Sequence, residues 1–305
     1  MKCAMRDNTI RVASNDARPI GTIESVKVLH DAGFESIDLG FGSVGNDDYI
    51  LAGDDWERKV DELGNEAAKY GMDFCQLHLP FKNGSEAMDP AFKKPGYKER
   101  FDLAMERAIL AGAKLGVPWA VAHSLNPWDK TGGDPDIAYQ LNREYFDKYV
   151  ELGIRNGVGF AFENLNQGVP GKGKIRYCGH YQELLDLVDG YNDPMVGICW
   201  DFGHANIVGY DQCTALRKIG KRLKCVHIDD NFGITDNHLL PFAGMVDWHK
   251  IFPVLAEIGY EGECNFEVDG HFKRIPRELQ MQELQYAASV CRYLIKLVEN
   301  AKVNE

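Results

Sequence analysis

Five histidines and four carboxylates stand at or just after the ends of short apolar runs. His78 closes CQLHLPF, His123 closes VAHSLNP and Glu163 follows the aromatics of FAFENLN. Asp201 precedes His204 by three residues in WDFGHAN, and His227 lies in VHIDDN. Asp236 and His238 share TDNHLLPF, and Glu267 sits in NFEVDG. A lone histidine in an apolar strand is more often a hydrogen-bonded core residue, so the grouping carries the reading and no single position does. Imidazole and carboxylate without thiolate form a donor set for Mn²⁺, Co²⁺, Mg²⁺ or Zn²⁺. Four acids gathered at one place repel unless cations neutralise them. A divalent ion there would act as a Lewis acid on a bound oxygen. Two carboxylates in different surroundings divide the acid and base roles. Several ions together would instead activate hydroxide against a phosphate ester.

Something must bring these residues to one place, and the pattern of the chain supplies it. Strand-like runs occur at 2–13, 34–40, 73–79, 118–124, 158–164, 195–201, 224–230 and 263–268. The later ones are nearly continuous apolar stretches, as parallel strands covered on both faces require. Helical spacing of apolar residues marks 22–32 (Ile23, Val26, Leu29) and 282–297 (Leu284, Ala287, Val290, Leu294, Leu297). A short phrase recurs before five strands, DAGFESI, KYGMDFC, KLGVPWA, RNGVGFA and EIGYEGE, each with a glycine where a helix ends in a left-handed turn. Strand and helix alternate without a linker-like break, which predicts a single (β/α)8 TIM barrel over residues 1–305. The irregular pieces at 80–95, 124–134, 165–177 and 230–246 follow strands, where a barrel keeps its site. No GxGxxG turn follows the first strand, and no organic cofactor is expected.

Composition narrows the partners. The 305 residues are 45% hydrophobic and 26% charged, with a net charge of −12. That balance weighs against a nucleic-acid partner, which usually calls for a basic face. The first residues, MKCAMRDNTIRVASND, are charged where a secretory leader is apolar, and no run reaches the ~20 apolar residues of a membrane span. Eight cysteines fall singly, none in a CxxC pair, consistent with reduced core thiols and a cytoplasmic setting.

From the second strand to the eighth, the chain resembles the xylose-isomerase-like TIM-barrel superfamily, which holds sugar and sugar-phosphate isomerases and epimerases together with the endonuclease IV family. The epimerase pattern implies one metal held by Glu163, Asp201, His227 and Glu267, with Glu163 and Glu267 also moving a proton next to the carbonyl of an α-hydroxy carbonyl compound through a metal-stabilised enediolate. His204, His78, His123 and Lys82 are then candidate substrate contacts. The endonuclease IV pattern implies additional ligands at His78, His123, His204, Asp236 and His238 and a trinuclear zinc site. Small sugars are favoured over DNA, with dehydration of a keto-polyol as a related chemistry. The resemblance also implies a homo-oligomer. One departure is LLPFAGMVDW, where Phe242 and Ala243 replace a Gly-Glu pair frequent in relatives.

Further residues stand near the expected site. Phe81, Trp128, Trp200 and Phe202 could wall it or stack on a sugar, although strand alternation turns Trp200 away from Asp201 and toward packing. Asn164 and Asp229 are positioned to orient ligands. GKGKIR at 171–176 could meet a phosphate or stay solvated. Trp248 is expected to begin a helix packed on the barrel.

Overall fold

A computed structural model of the chain describes residues 1–12, 18–42, 50–81, 93–126, 131–166 and 176–303. Eight parallel strands run β1 Cys3–Arg6, β2 Ser36–Gly40, β3 Asp73–His78, β4 Trp119–His123, β5 Gly159–Glu163, β6 Val196–Asp201, β7 Leu223–His227 and β8 Cys264–Phe266. Their order around the sheet is β7-β6-β5-β4-β3-β2-β1-β8. The circle is completed by a parallel bridge between Ile228 and Phe266. There the Ile228 amide donates to the Asn265 carbonyl at 2.9 Å, and the Glu267 amide donates to the Ile228 carbonyl at 3.1 Å. The expected (β/α)8 barrel is the observed fold.

Helices α1 Thr22–Ala32, α2 Trp56–Lys69, α3 Tyr97–Leu115, α4 Pro135–Arg155, α5 Tyr181–Asp189, α6 Phe202–Val208, α7 Gln212–Ile219, α8 Trp248–Glu257, α9 Asp269–Phe272 and α10 Gln280–Val303 surround it. The glycine phrase behaves as expected. Gly33 takes φ +96°, a backbone a Cβ would strain, and its N–H caps α1 on the His30 and Leu29 carbonyls. Gly71, Gly116, Gly157 and Gly259 share the positive φ. The first strand is shorter than the 2–13 run, because Asp7–Thr9 turns into a 3-10 segment. There the buried Asp7 carboxylate accepts the Gly40 amide at 2.9 Å.

The main apolar core lies between sheet and helices. Trp200 is fully buried there, its indole N–H donating to Gln212 Oε1 at 3.1 Å. Phe202 packs on Trp248 and Phe252 at ring separations of 5.5 and 5.6 Å. Neither ring walls the site, which corrects the expectation for Phe202. The chain turns into α6 immediately after Asp201 and carries the next side chain outward. Trp248 begins α8 as expected.

A smaller cluster, Val121, Ala161, Cys199 and Cys225, is packed separately inside the barrel. Each stands two residues before His123, Glu163, Asp201 or His227, and strand alternation points both sets the same way. The candidate ligands thus rest on a floor of small apolar groups. All eight cysteines are free thiols, seven of them buried. Among the described residues, no helix is long and apolar enough to cross a membrane.

Candidate metal centre

Glu163, at the end of β5, is the hub. Its carboxylate is buried, and four imidazoles approach it. Oε2 lies 2.9 Å from His123 Nε2 and 3.3 Å from His78 Nε2. Oε1 lies 3.2 Å from His204 Nδ1 and 3.3 Å from His227 Nδ1. His227 Nδ1 is also 3.0 Å from Glu267 Oε2 and 4.0 Å from Asp201 Oδ2. His78, Glu163, His227 and Glu267 each offer one donor atom to a compact buried group, and Glu163, Asp201 and His204 to an adjoining one. The four residues expected to hold one metal are therefore neighbours, with Asp201 on the side nearer His204.

A second donor group forms around Asp236. His204 Nδ1 lies 2.9 Å from the Asn164 carbonyl, and His238 Nδ1 lies 2.9 Å from the Glu267 carbonyl. A carbonyl only accepts, so both Nδ1 atoms carry the proton and Nε2 is the free-facing nitrogen. Those Nε2 atoms lie 3.1 and 3.4 Å from Asp236 Oδ2, which also accepts from Asn166 Nδ2 at 3.2 Å. His204 thus belongs to this group by its Nε2, although its Nδ1 is close to Glu163 and Asp201.

Several buried polar atoms here have no hydrogen-bond partner, namely both ring nitrogens of His227, His78 Nδ1, Asp201 Oδ2, Asp236 Oδ1 and both oxygens of Asp229. His227 Nδ1 is near two carboxylates but not aligned with either as a hydrogen bond. Orphaned buried donors and acceptors are costly, and a divalent ion is a partner that would satisfy them. The donor set fits such an ion.

The electrostatics agree. Burial opposes ionisation of Glu163, but His227 and His123 outweigh it and hold the carboxyl well below its usual range. Burial raises Asp201, with Glu163 adding repulsion. It lowers His78 well below the ordinary imidazole value, with Arg6 contributing, and so keeps that ring neutral. Burial disfavours the charged forms of His204 and His238, yet Asp201 and Asp236 raise the first well above normal, and Asp236 lifts the second to about 9. Asp229 is pushed well up, first by burial and then by Asp201.

Asn164 orients Asp201 as expected. Its Oδ1 accepts the Asp201 amide at 2.7 Å, and its Nδ2 donates to the Asp201 carbonyl at 2.9 Å. Asp201 Oδ1 in turn caps α6 by accepting the His204 amide at 2.6 Å. Glu163, Glu267 and the imidazoles of His78, His123, His204 and His238 line a cavity of about 320 Å³, together with Arg6, Phe81, Asn126 and Arg176. Phe81 covers His123 at a ring separation of 4.4 Å. A larger hollow of about 620 Å³ lies at the opposite end of the strands, between Asp73, Trp119 and Glu263, and no histidine lines it.

Sequence reasoning missed Arg6. Its guanidinium is buried at the end of β1 and ion-paired with Glu267. The run CAMRDN gives no periodic cue that would have placed it. Lys82, Trp128 and residues 171–175 lie outside the described residues; Arg176 alone of that basic run is placed, at the cavity.

A family model described as a xylose isomerase-like TIM barrel matches residues 26–290. The chain belongs to that family. The uncharacterized protein y4fM of Sinorhizobium fredii (strain NBRC 101917 / NGR234) is 41% identical over 172 residues, covering 56% of this chain and 50% of that protein. The D-psicose 3-epimerase of Enterocloster bolteae is 33% identical over 96 residues, 30% of each chain. The chain spans half or less of the length of these two curated relatives. A crystal structure of a D-tagatose 3-epimerase-like protein superposes with a TM-score of 0.72 at 18% identity, covering 98% of this chain and 99% of that one. At that identity the likeness speaks for the barrel alone.

Proposed function

We propose that this protein is a divalent-metal-dependent isomerase or epimerase acting on a sugar or sugar phosphate. The observation that carries the reading is the pair of buried carboxylates, Glu163 from β5 and Glu267 from β8, flanking His227 Nδ1 at 3.3 and 3.0 Å at the cavity floor. The kinship with a D-psicose 3-epimerase points the same way. Glu163, Asp201, His227 and Glu267 would hold the ion, with His78 beside them. Once bound, it would act as a Lewis acid on a carbonyl group.

The chain's own residues supply the proton chemistry. Glu163 and Glu267 reach the floor from separate strands and sit in different surroundings, Glu163 among imidazoles and Glu267 beside the Arg6 guanidinium. One removes the proton from the carbon next to the carbonyl and the other returns it. Arg6 pairs with the Glu267 carboxylate and holds it in place at the cavity. Phe81 covers the imidazole side of the cavity, offering an apolar face for a sugar ring. Asn126, Asn166 and Arg176 offer polar contacts to hydroxyls or a phosphate.

A second reading, a phosphodiesterase with several zinc ions, is favoured by one observation, the Asp236, His204 and His238 group beside the first. Both readings are tested by incubating Mn²⁺- and Zn²⁺-loaded protein with ketoses, ketose phosphates and phosphodiesters in D₂O. Solvent deuterium entering a C–H position of a ketose supports the first reading. Phosphodiester cleavage without any exchange overturns it in favour of the second.

A further inference from the structure

His227 is held by more than its neighbours at the cavity floor. Its Nδ1 faces Glu163 and Glu267, so Nε2, on the other side of the ring, points down into the barrel. There it meets Asp38 Oδ2 at 3.8 Å, with both residues fully buried. Asp38 stands two residues before the end of β2, on the inward-facing register. Its Oδ2 is fixed by two amides, Gln76 Nε2 at 3.2 Å and Asn265 Nδ2 at 3.0 Å, from β3 and β8. Neither ring nitrogen of His227 has an aligned hydrogen-bond partner, and Asp38 Oδ1 has none either. His78 stacks on the His227 ring at 5.2 Å with an interplanar angle of 24°, which limits how the ring can rotate.

A buried carboxylate without a cation beside it is costly, and the two amides only partly offset that cost. The imidazole explains its place. A neutral imidazole has one N–H and one lone pair, and a carboxylate facing Nε2 stabilises the proton there. The lone pair is then left on Nδ1, toward Glu163 and Glu267. The apolar floor of Ala161, Cys199 and Cys225 strengthens the interaction. We infer that Asp38 is a positioning residue: through Nε2 it fixes the tautomer and orientation of His227, so that Nδ1 presents a lone pair to a divalent cation. Asp38 itself is no ligand, because it lies on the opposite side of the ring from the glutamates. Gln76 and Asn265 hold it in place. This inference rests on the metal reading proposed above.

The test is a double-mutant cycle on Mn²⁺ affinity, measured from the free-ion signal in electron paramagnetic resonance. Metal-free circular-dichroism melts check that each variant folds. Asp38→Asn, close in size but neutral, is expected to weaken Mn²⁺ binding about 10–100-fold. The same change in a His227→Ala background is expected to alter affinity by less than about twofold, because the group it acts through is gone. Asn265→Ala, which removes one of the two anchoring amides, is a milder second variant and is expected to weaken binding by roughly threefold to tenfold. An equal loss from Asp38→Asn in both backgrounds overturns the inference, and so does an Asp38→Asn protein that binds as tightly as the parent; both outcomes leave the metal reading intact. A parent protein that binds no divalent ion overturns the metal reading and this inference with it.

Discussion

Replacing Glu163 with glutamine probes the centre before any substrate is involved. The carboxylate is 1% exposed, and four imidazole nitrogens stand 2.9–3.3 Å from its oxygens. The amide keeps the volume and removes the charge. Breaking a buried ionic set by neutralising one partner costs about 3–5 kcal/mol. Repulsion from Asp201 is relieved at the same time, which works the other way. The imidazoles prevail, because their combined pull overcomes burial and holds Glu163 well below its ordinary value. At about 1.5 °C per kcal/mol for a chain of 305 residues, the metal-free variant is expected to melt roughly 5–8 °C below the parent at pH 7. A carboxylate with a depressed folded pKa contributes stability that is present above its unfolded value of 4.5 and lost as pH falls through the folded one. The gap between parent and variant should therefore persist down to about pH 5 and close only in stronger acid. Circular-dichroism melts in the presence of a chelator measure it. A variant melting within about 1 °C of the parent at pH 7 would refute the claim that Glu163 is the electrostatic hub.

Three other changes test separate parts of the account. Glu267→Gln should abolish deuterium exchange into ketose substrates while the metal-free melting temperature moves far less than activity does; a variant retaining full exchange removes Glu267 from the proton transfer. Metal uptake at pH 7 should release protons: burial opposes charging of His227, but Glu163 outweighs it and raises the imidazole above its ordinary value, and a ligand nitrogen must give up that proton. Affinity should then climb as pH rises above neutrality, and calorimetry in buffers of differing ionisation enthalpy will show it; uptake without proton release contradicts that protonation. Phe81→Ala, which strips the aromatic cover from His123 at the cavity mouth, should raise KM several-fold with kcat nearly unchanged. An unchanged KM would place the sugar elsewhere.

The barrel and the convergence of most candidate site residues could be read from sequence, because both depend on local pattern. His78, His123, Glu163, Asp201 and His227 end apolar strands, and a closed barrel has no choice but to gather those ends. The glycine phrase marked helix ends for an equally local reason, the left-handed turn that a Cβ disfavours. What escaped is what depends on pairing across the chain. Arg6 meets Glu267 from the other end of the sequence, and Asp38 gains its meaning only beside Gln76, His227 and Asn265. Which imidazole nitrogen faces a ligand was equally hidden, because distant carbonyls of Asn164 and Glu267 decide it for His204 and His238. Phe202 was misjudged on its nearness to Asp201 in sequence: the residue next to an inward-facing one points to the opposite face, and α6 begins there with the ring packed on Trp248.

The most direct test of the central claim is the metal content per chain, by elemental mass spectrometry on protein purified without added metal or chelator and again after dialysis against Mn²⁺. The account predicts at least one tightly held divalent ion per chain, lost together with deuterium exchange when Glu163 is replaced by alanine. A parent protein that carries no divalent ion, takes none up from Mn²⁺, Co²⁺, Mg²⁺ or Zn²⁺, and still exchanges deuterium into a ketose would contradict it.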